Sequence, residues 1–161
     1  MGNIKTFTIL FLSITSSLIY AQTTIEKTDN YLNKNNIYDD ELLFVSIKEQ
    51  KMYHIKNKNI INEFIISTSE YGTGNNSGSN KTPTGIHRVK KKYGNNTPIY
   101  GRMIGRVFTG EIATIYTDTR RSSTDDITSR ILWLEGLEEG VNKGEGIDSF
   151  KRYIYIHGTS E

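Results

Sequence analysis

The chain has 161 residues, no cysteine, and a net charge of +2 from 20 basic and 18 acidic residues interspersed along it. That length suits one domain able to bury a real core, and the near balance of charge gives no electrostatic reason to bind nucleic acid or an anionic membrane. The missing thiols exclude disulfides, thiolate metal sites and cysteine nucleophiles within these residues.

Lys5 lies in a short basic start, Phe7 to Tyr20 is mostly apolar, and Ala21-Gln22 offers a small residue for cleavage. This succession reads as a signal peptide over residues 1–21, too short and too rich in hydroxyls for a comfortable membrane span. The protein is therefore expected outside the cytoplasm, in the periplasm or cell envelope. Removing the segment takes Lys5 alone and lowers the net charge from +2 to +1. Residues 22–41 are rich in Asn, Asp, Thr and Lys and read as a polar spacer.

Three apolar runs follow, Leu42 to Ile47, Met52 to Ile55 and Ile60 to Ile66, separated by polar connectors, which is the pattern of a β-meander. Gly72 to Lys81 is a Gly/Asn-rich segment and reads as a mobile loop; it holds no phosphate-cradling pattern. Short β-type runs continue at Gly85 to Val89, Gly105 to Phe108, Ile112 to Thr117, Arg130 to Leu134 and Arg152 to His157. Helix is sparse, with a turn or two expected at Asp125 to Ser129. The fold class is mainly β, a sandwich or open barrel with little helix. Three Asn-x-Ser/Thr sequons, at Asn75, Asn80 and Asn95, are read as chance in so Asn-rich a chain.

In the last run, strand alternation would send Ile154 and Ile156 inward and put Tyr153, Tyr155 and His157 on the opposite face, ahead of a glycine turn at Gly158. His87 reads as a solvent-facing strand residue and His54 as structural. With three scattered histidines and no carboxylate pattern around them, no metal is expected. Trp133 reads as core, Glu138-Glu139 as a solvated turn, and Lys90-Lys91-Lys92 as a solubilising face, as do Arg120 and Arg121.

Taken in order, Leu43-Phe44-Val45-Ser46-Ile47, Lys81-Thr82-Pro83-Thr84-Gly85-Ile86, Arg130-Ile131-Leu132-Trp133-Leu134-Glu135-Gly136 and Arg152-Tyr153-Ile154-Tyr155-Ile156-His157-Gly158-Thr159 resemble the L,D-transpeptidase catalytic domain (YkuD-like) over residues 42–161. The resemblance implies a mostly β fold, a bacterial envelope location, and acyl transfer on peptidoglycan stem peptides without a cofactor. In that family a cysteine thiolate attacks the amide before a terminal D-amino acid, forms a thioester and passes the acyl group to an amine. His157 matches the histidine of the family's first motif and is the candidate catalytic residue, with Tyr155 and Gly158 as candidate substrate-binding residues. The family continues through a Ser/Thr-His-Gly-Cys motif, whereas these residues stop at Glu161. The expectation is a domain incomplete at its C-terminus, lacking nucleophile, second histidine and part of the oxyanion hole, and inactive as it stands. Ser160 is too close to His157, on one short turn, to serve as a substitute nucleophile. The rival reading is a non-catalytic peptidoglycan-binding or envelope-structural protein. The sequence specifies neither an oligomeric state nor the donor and acceptor peptides.

Overall fold

The computed structural model describes residues 23, 25–34, 36, 41–120, 122–124 and 126–160; the segment read as a signal peptide, residues 1–21, lies outside them. The chain divides into two compact units, Met1–Thr68 and Ser69–Glu161. The fold is mainly β, with two antiparallel sheets and little helix, as the sequence pattern predicts.

In the first unit, strands β1 (Glu41–Ser46), β2 (Lys51–Lys56) and β3 (Asn59–Ile65) form the expected meander in the order β1-β2-β3. Asn57 and Lys58 join β2 to β3 with φ of 47° and 60°, the left-handed pair of a type I′ turn, whose twist matches that of the flanking strands. Tyr53 and Ile55 alternate into the buried side of β2, and Phe44 stacks on Tyr53 at 6.2 Å. The polar stretch read as a spacer carries a helix over residues 25–34. Its Asp29 pairs with Lys58 at 2.7 Å, a contact between distant segments that composition alone does not disclose.

The second unit is built around β7 (Thr128–Gly136), flanked by β4 (His87–Tyr93) and β8 (Tyr155–Gly158), and joined at Thr128 to the hairpin of β5 (Gly101–Ile104) and β6 (Val107–Ile112). Strand β7 is central because Ile131 and Trp133 alternate into the core, 1% and 7% exposed, and both its edges are paired.

Several boundaries differ from the expectation. Gly105 to Phe108 is not one strand: Gly105 and Arg106, with φ of 56° and 70°, form the tip of the β5–β6 hairpin. This type I′ turn carries Gly-Arg rather than the usual Asn-Gly, so the local sequence does not announce it. The run from Ile112 ends its strand at Ile112 itself, and the helical turn expected at 125–129 is replaced by the start of β7 at Thr128. The segment 72–81 is fastened rather than free: Arg152 donates to the carbonyls of Gly74 (3.2 Å) and Lys81 (2.8 Å), and Ser77 N–H donates to Gly146 O at 2.6 Å.

The Thr82-Pro83-Thr84-Gly85 turn is locked to the loop after β7. Gly85 has φ +95°, and a β-carbon there would lie 2.0 Å from Glu138 Oε2, so both conformation and space demand glycine. Glu138 accepts from Ile86 N–H at 2.5 Å and is half-buried. It is thus a structural carboxylate rather than the expected solvated turn residue, while Glu139 stays exposed and pairs with Lys143. Asn142, fully buried, joins the same network: its Oδ1 accepts from Glu138 N–H (2.9 Å) and its Nδ2 donates to Thr84 O and Ile86 O (3.1 Å each).

Candidate active site

The register of the second sheet decides which side chains share a surface. Lys91 lies opposite Trp133, and Trp133 opposite Tyr155; Tyr93 lies opposite Ile131, and Ile131 opposite His157. Directly paired residues project to one side of a sheet, so Lys91, Tyr93, Ile131, Trp133, Tyr155 and His157 occupy one face. Leu132 and its partner Ile156 occupy the other.

His157 is exposed near the end of β8, with Nδ1 2.9 Å from the carbonyl oxygen of Gly158. A carbonyl only accepts, so Nδ1 carries the proton, and in the neutral ring Nε2 holds the available lone pair. Gly158 is not the expected turn but the last residue of β8, paired with Thr128, and glycine is needed there because a β-carbon would stand 2.7 Å from Thr128 Oγ1 and 3.0 Å from Thr128 O, forcing β8 away from β7.

The expected strand at 152–157 is shorter: β8 begins at Tyr155, and Tyr153 sits in a turn with φ +58°. Tyr153 therefore reaches the aromatic face by a turn and not by alternation. Ile154 and Ile156 are only half-buried and do not form the core that the pattern suggested.

Trp133 is both core and the centre of an aromatic platform. Phe150 and Tyr153 stack on it, with centroids at 4.1 and 5.5 Å, Tyr155 meets it edge-on at 5.6 Å, and its Nε1–H donates to Phe150 O at 3.0 Å. Offset and edge-on aromatic pairs of this kind add about 0.5–1.5 kcal/mol each beyond the area they bury. Lys90 and Lys91, read as a solubilising run, are exposed yet engaged. Lys90 lies 4.2 Å over the Phe150 ring and pairs with Glu135, and Lys91 lies 5.7 Å over Trp133. Arg106, which sequence reading passed over, reaches from the hairpin tip to stack 4.8 Å from the Trp133 centroid and donates to Tyr155 Oη at 3.0 Å. That hydrogen bond holds the guanidinium above its ordinary pKa.

His87 is not solvent-facing but half-buried. Its Nδ1 donates to Gly85 O at 3.0 Å and its Nε2 faces Ser149 Oγ at 2.9 Å, Ser149 being fully buried. Burial pushes this imidazole below its ordinary pKa, against the opposing effect of the Gly85 carbonyl. It braces the Gly85 turn. His54 is bound to Glu41 at 2.8 Å in the other unit, a structural contact of the kind expected. Ser160 is fully buried and its hydroxyl has no partner among the described residues, so it can neither meet a substrate nor draw on a base. Among the described residues no three His, Asp or Glu side chains group in a way that could hold a metal ion, and no helix is long and apolar enough to cross a membrane.

In comparison with known proteins, the family model described as the L,D-transpeptidase catalytic domain (YkuD) matches residues 40–161. No curated protein matches the chain, and no solved structure does.

Proposed function

This chain belongs to the L,D-transpeptidase catalytic-domain family, and from that premise we propose that it carries the base and part of the substrate wall of an exported acyltransferase acting on peptidoglycan stem peptides. The observation that carries the reading is the placement of His157: exposed, with its tautomer set by the Gly158 carbonyl, on the face that also holds Tyr155 and Trp133. In the reaction, Nε2 of His157 takes the proton of a cysteine thiol. The thiolate attacks the amide carbonyl, and the imidazolium returns the proton to the departing amine of the terminal D-amino acid. An acceptor amine then attacks the thioester and releases the thiol. A free thiol has a pKa of about 8.5, so a neighbouring imidazole raises the thiolate fraction near neutrality.

The thiol is not among these residues. Mass spectrometry after incubation with a tetrapeptide donor tests the reading. The 161-residue chain should remain unmodified, and a form extended through a Ser/Thr-His-Gly-Cys segment should gain the donor acyl mass. The rival reading is a peptidoglycan-binding or envelope-structural protein without catalysis. Cosedimentation with isolated cell-wall sacculi, combined with no acylation of the extended form, selects that reading.

Export rests on the succession of Lys5, the apolar run and Ala21-Gln22. N-terminal sequencing of protein from the envelope fraction should begin near Gln22; an intact Met1 in cytosolic protein overturns export.

A further inference from the structure

Six arginines lie among the described residues, and five of them bind carboxylates or backbone carbonyls. Arg88, Arg102 and Arg120 pair with carboxylates, and Arg130 and Arg152 bind backbone carbonyls. Arg106 differs: among the described residues its one hydrogen-bond partner is the phenol of Tyr155, and no carboxylate pairs with it. Arg106 is half-buried, and its guanidinium lies over the aromatic rings, 4.8 Å from the Trp133 centroid and within 6 Å of those of Tyr93 and Tyr153. Among the described residues only Nη1 is engaged, by Tyr155, so Nε and Nη2 keep N–H donors in a fork that fits a carboxylate. Lys91 adds a second positive charge in the row of Trp133 and Tyr155 without a carboxylate partner among the described residues.

Two backbone turns bring these side chains together. Arg106 and Tyr153 are both held in the left-handed region, at φ 70° and 58°, and their side chains converge over Trp133. For Arg106 this is the ordinary geometry of the type I′ tip, and for Tyr153 that of the turn before β8. The tight hairpin tip limits how far Arg106 can swing, and the Tyr155 hydrogen bond fixes its edge. Tyr155 stands two residues from His157 on the same face of β8, about 6.6 Å along the strand.

We infer that Arg106 is a specificity-determining anchor that receives the terminal carboxylate of the donor peptide and so places the preceding amide at His157. The inference rests on the stem-peptide reading above. The guanidinium and carboxylate form a bidentate ion pair against the aromatic platform, where partial desolvation strengthens it.

Trp133 is the sole tryptophan, so its fluorescence reports events at this platform. Two probes are titrated into the 161-residue chain: a tetrapeptide ending in a free D-amino-acid carboxylate, and the same peptide as its C-terminal amide. Affinity is read by calorimetry and location by Trp133 emission. The acid should bind about tenfold more tightly than the amide, the scale of one charge-assisted contact, and should alter Trp133 emission. Arg106→Gln should abolish the difference between acid and amide; Arg106→Lys should keep only part of it, because an ammonium lacks the fork. Equal binding of acid and amide by the unaltered chain overturns the anchor while leaving the stem-peptide reading intact. So does a preference that survives in Arg106→Gln or that leaves Trp133 unperturbed. Failure of the chain to bind either peptide overturns both. The comparison on the unaltered chain needs no variant to fold.

Discussion

In a thiol-bearing form of the protein, His157→Ala should slow acyl-enzyme formation on a tetrapeptide donor at least about a hundredfold, the usual contribution of a positioned general base. The side chain is exposed and makes one hydrogen bond, from Nδ1 to the neighbouring carbonyl of Gly158, so its removal leaves β8 paired with β7 and the fold unchanged. Time-resolved mass spectrometry of the acyl-enzyme measures the rate, with circular dichroism as the check on folding. Because a base acts on thiolate formation, the deficit should shrink as pH rises toward the thiol's own pKa, about 8.5 when unperturbed. A rate in His157→Ala equal to that of the unaltered protein would assign the base elsewhere.

Asn142→Ala should destabilise the chain by about 3 kcal/mol, since each buried partner left without a hydrogen bond costs about 1–3 kcal/mol. Asn142 is fully buried and ties three backbone groups together: it accepts from Glu138 N–H and donates to the carbonyls of Thr84 and Ile86. Removing it orphans Glu138 N–H and Thr84 O between the Thr-Pro-Thr-Gly turn and the loop after β7, while Ile86 O keeps its bond from Leu137 N–H at 3.0 Å. Urea denaturation followed by Trp133 fluorescence measures the loss, and Asn142→Asp separates the two kinds of bond. Aspartate keeps the acceptor for Glu138 N–H but offers no donor to the two carbonyls, and it places a second carboxylate beside Glu138, 3.3 Å from the present Nδ2. It should therefore be at least as destabilising as alanine. A loss below about 1 kcal/mol for alanine would mean that water replaces the side chain without cost.

What the residue pattern determined by itself was local. Alternation and short apolar runs announce the β1–β3 meander, and Ile131 and Trp133 announce the buried side of β7. The ending through Tyr155 and His157 marks a strand that delivers a histidine, though the pattern reads Gly158 as a turn and the structure makes it the last residue of β8. These features follow from the two-residue period of a strand, which lies in neighbouring letters.

What only the tertiary structure decided was the company these residues keep. Arg106 is read as part of a strand until the left-handed pair Gly105-Arg106 makes it a hairpin tip, and only β5's attachment to β7 at Thr128 aims that tip toward Trp133. Asn142, in a Gly-rich stretch, has the composition of a surface turn; it is buried because the loop after β7 closes over the turn at Gly85. His87 is drawn inward by Ser149, 62 residues away. Tyr153 enters the aromatic cluster through a positive φ that no alternation rule contains. In each case the deciding interaction joins segments far apart in the chain. Their meeting depends on strand register and the twist of the sheet, so the chemistry of the residues is local while their arrangement into one face belongs to the whole unit.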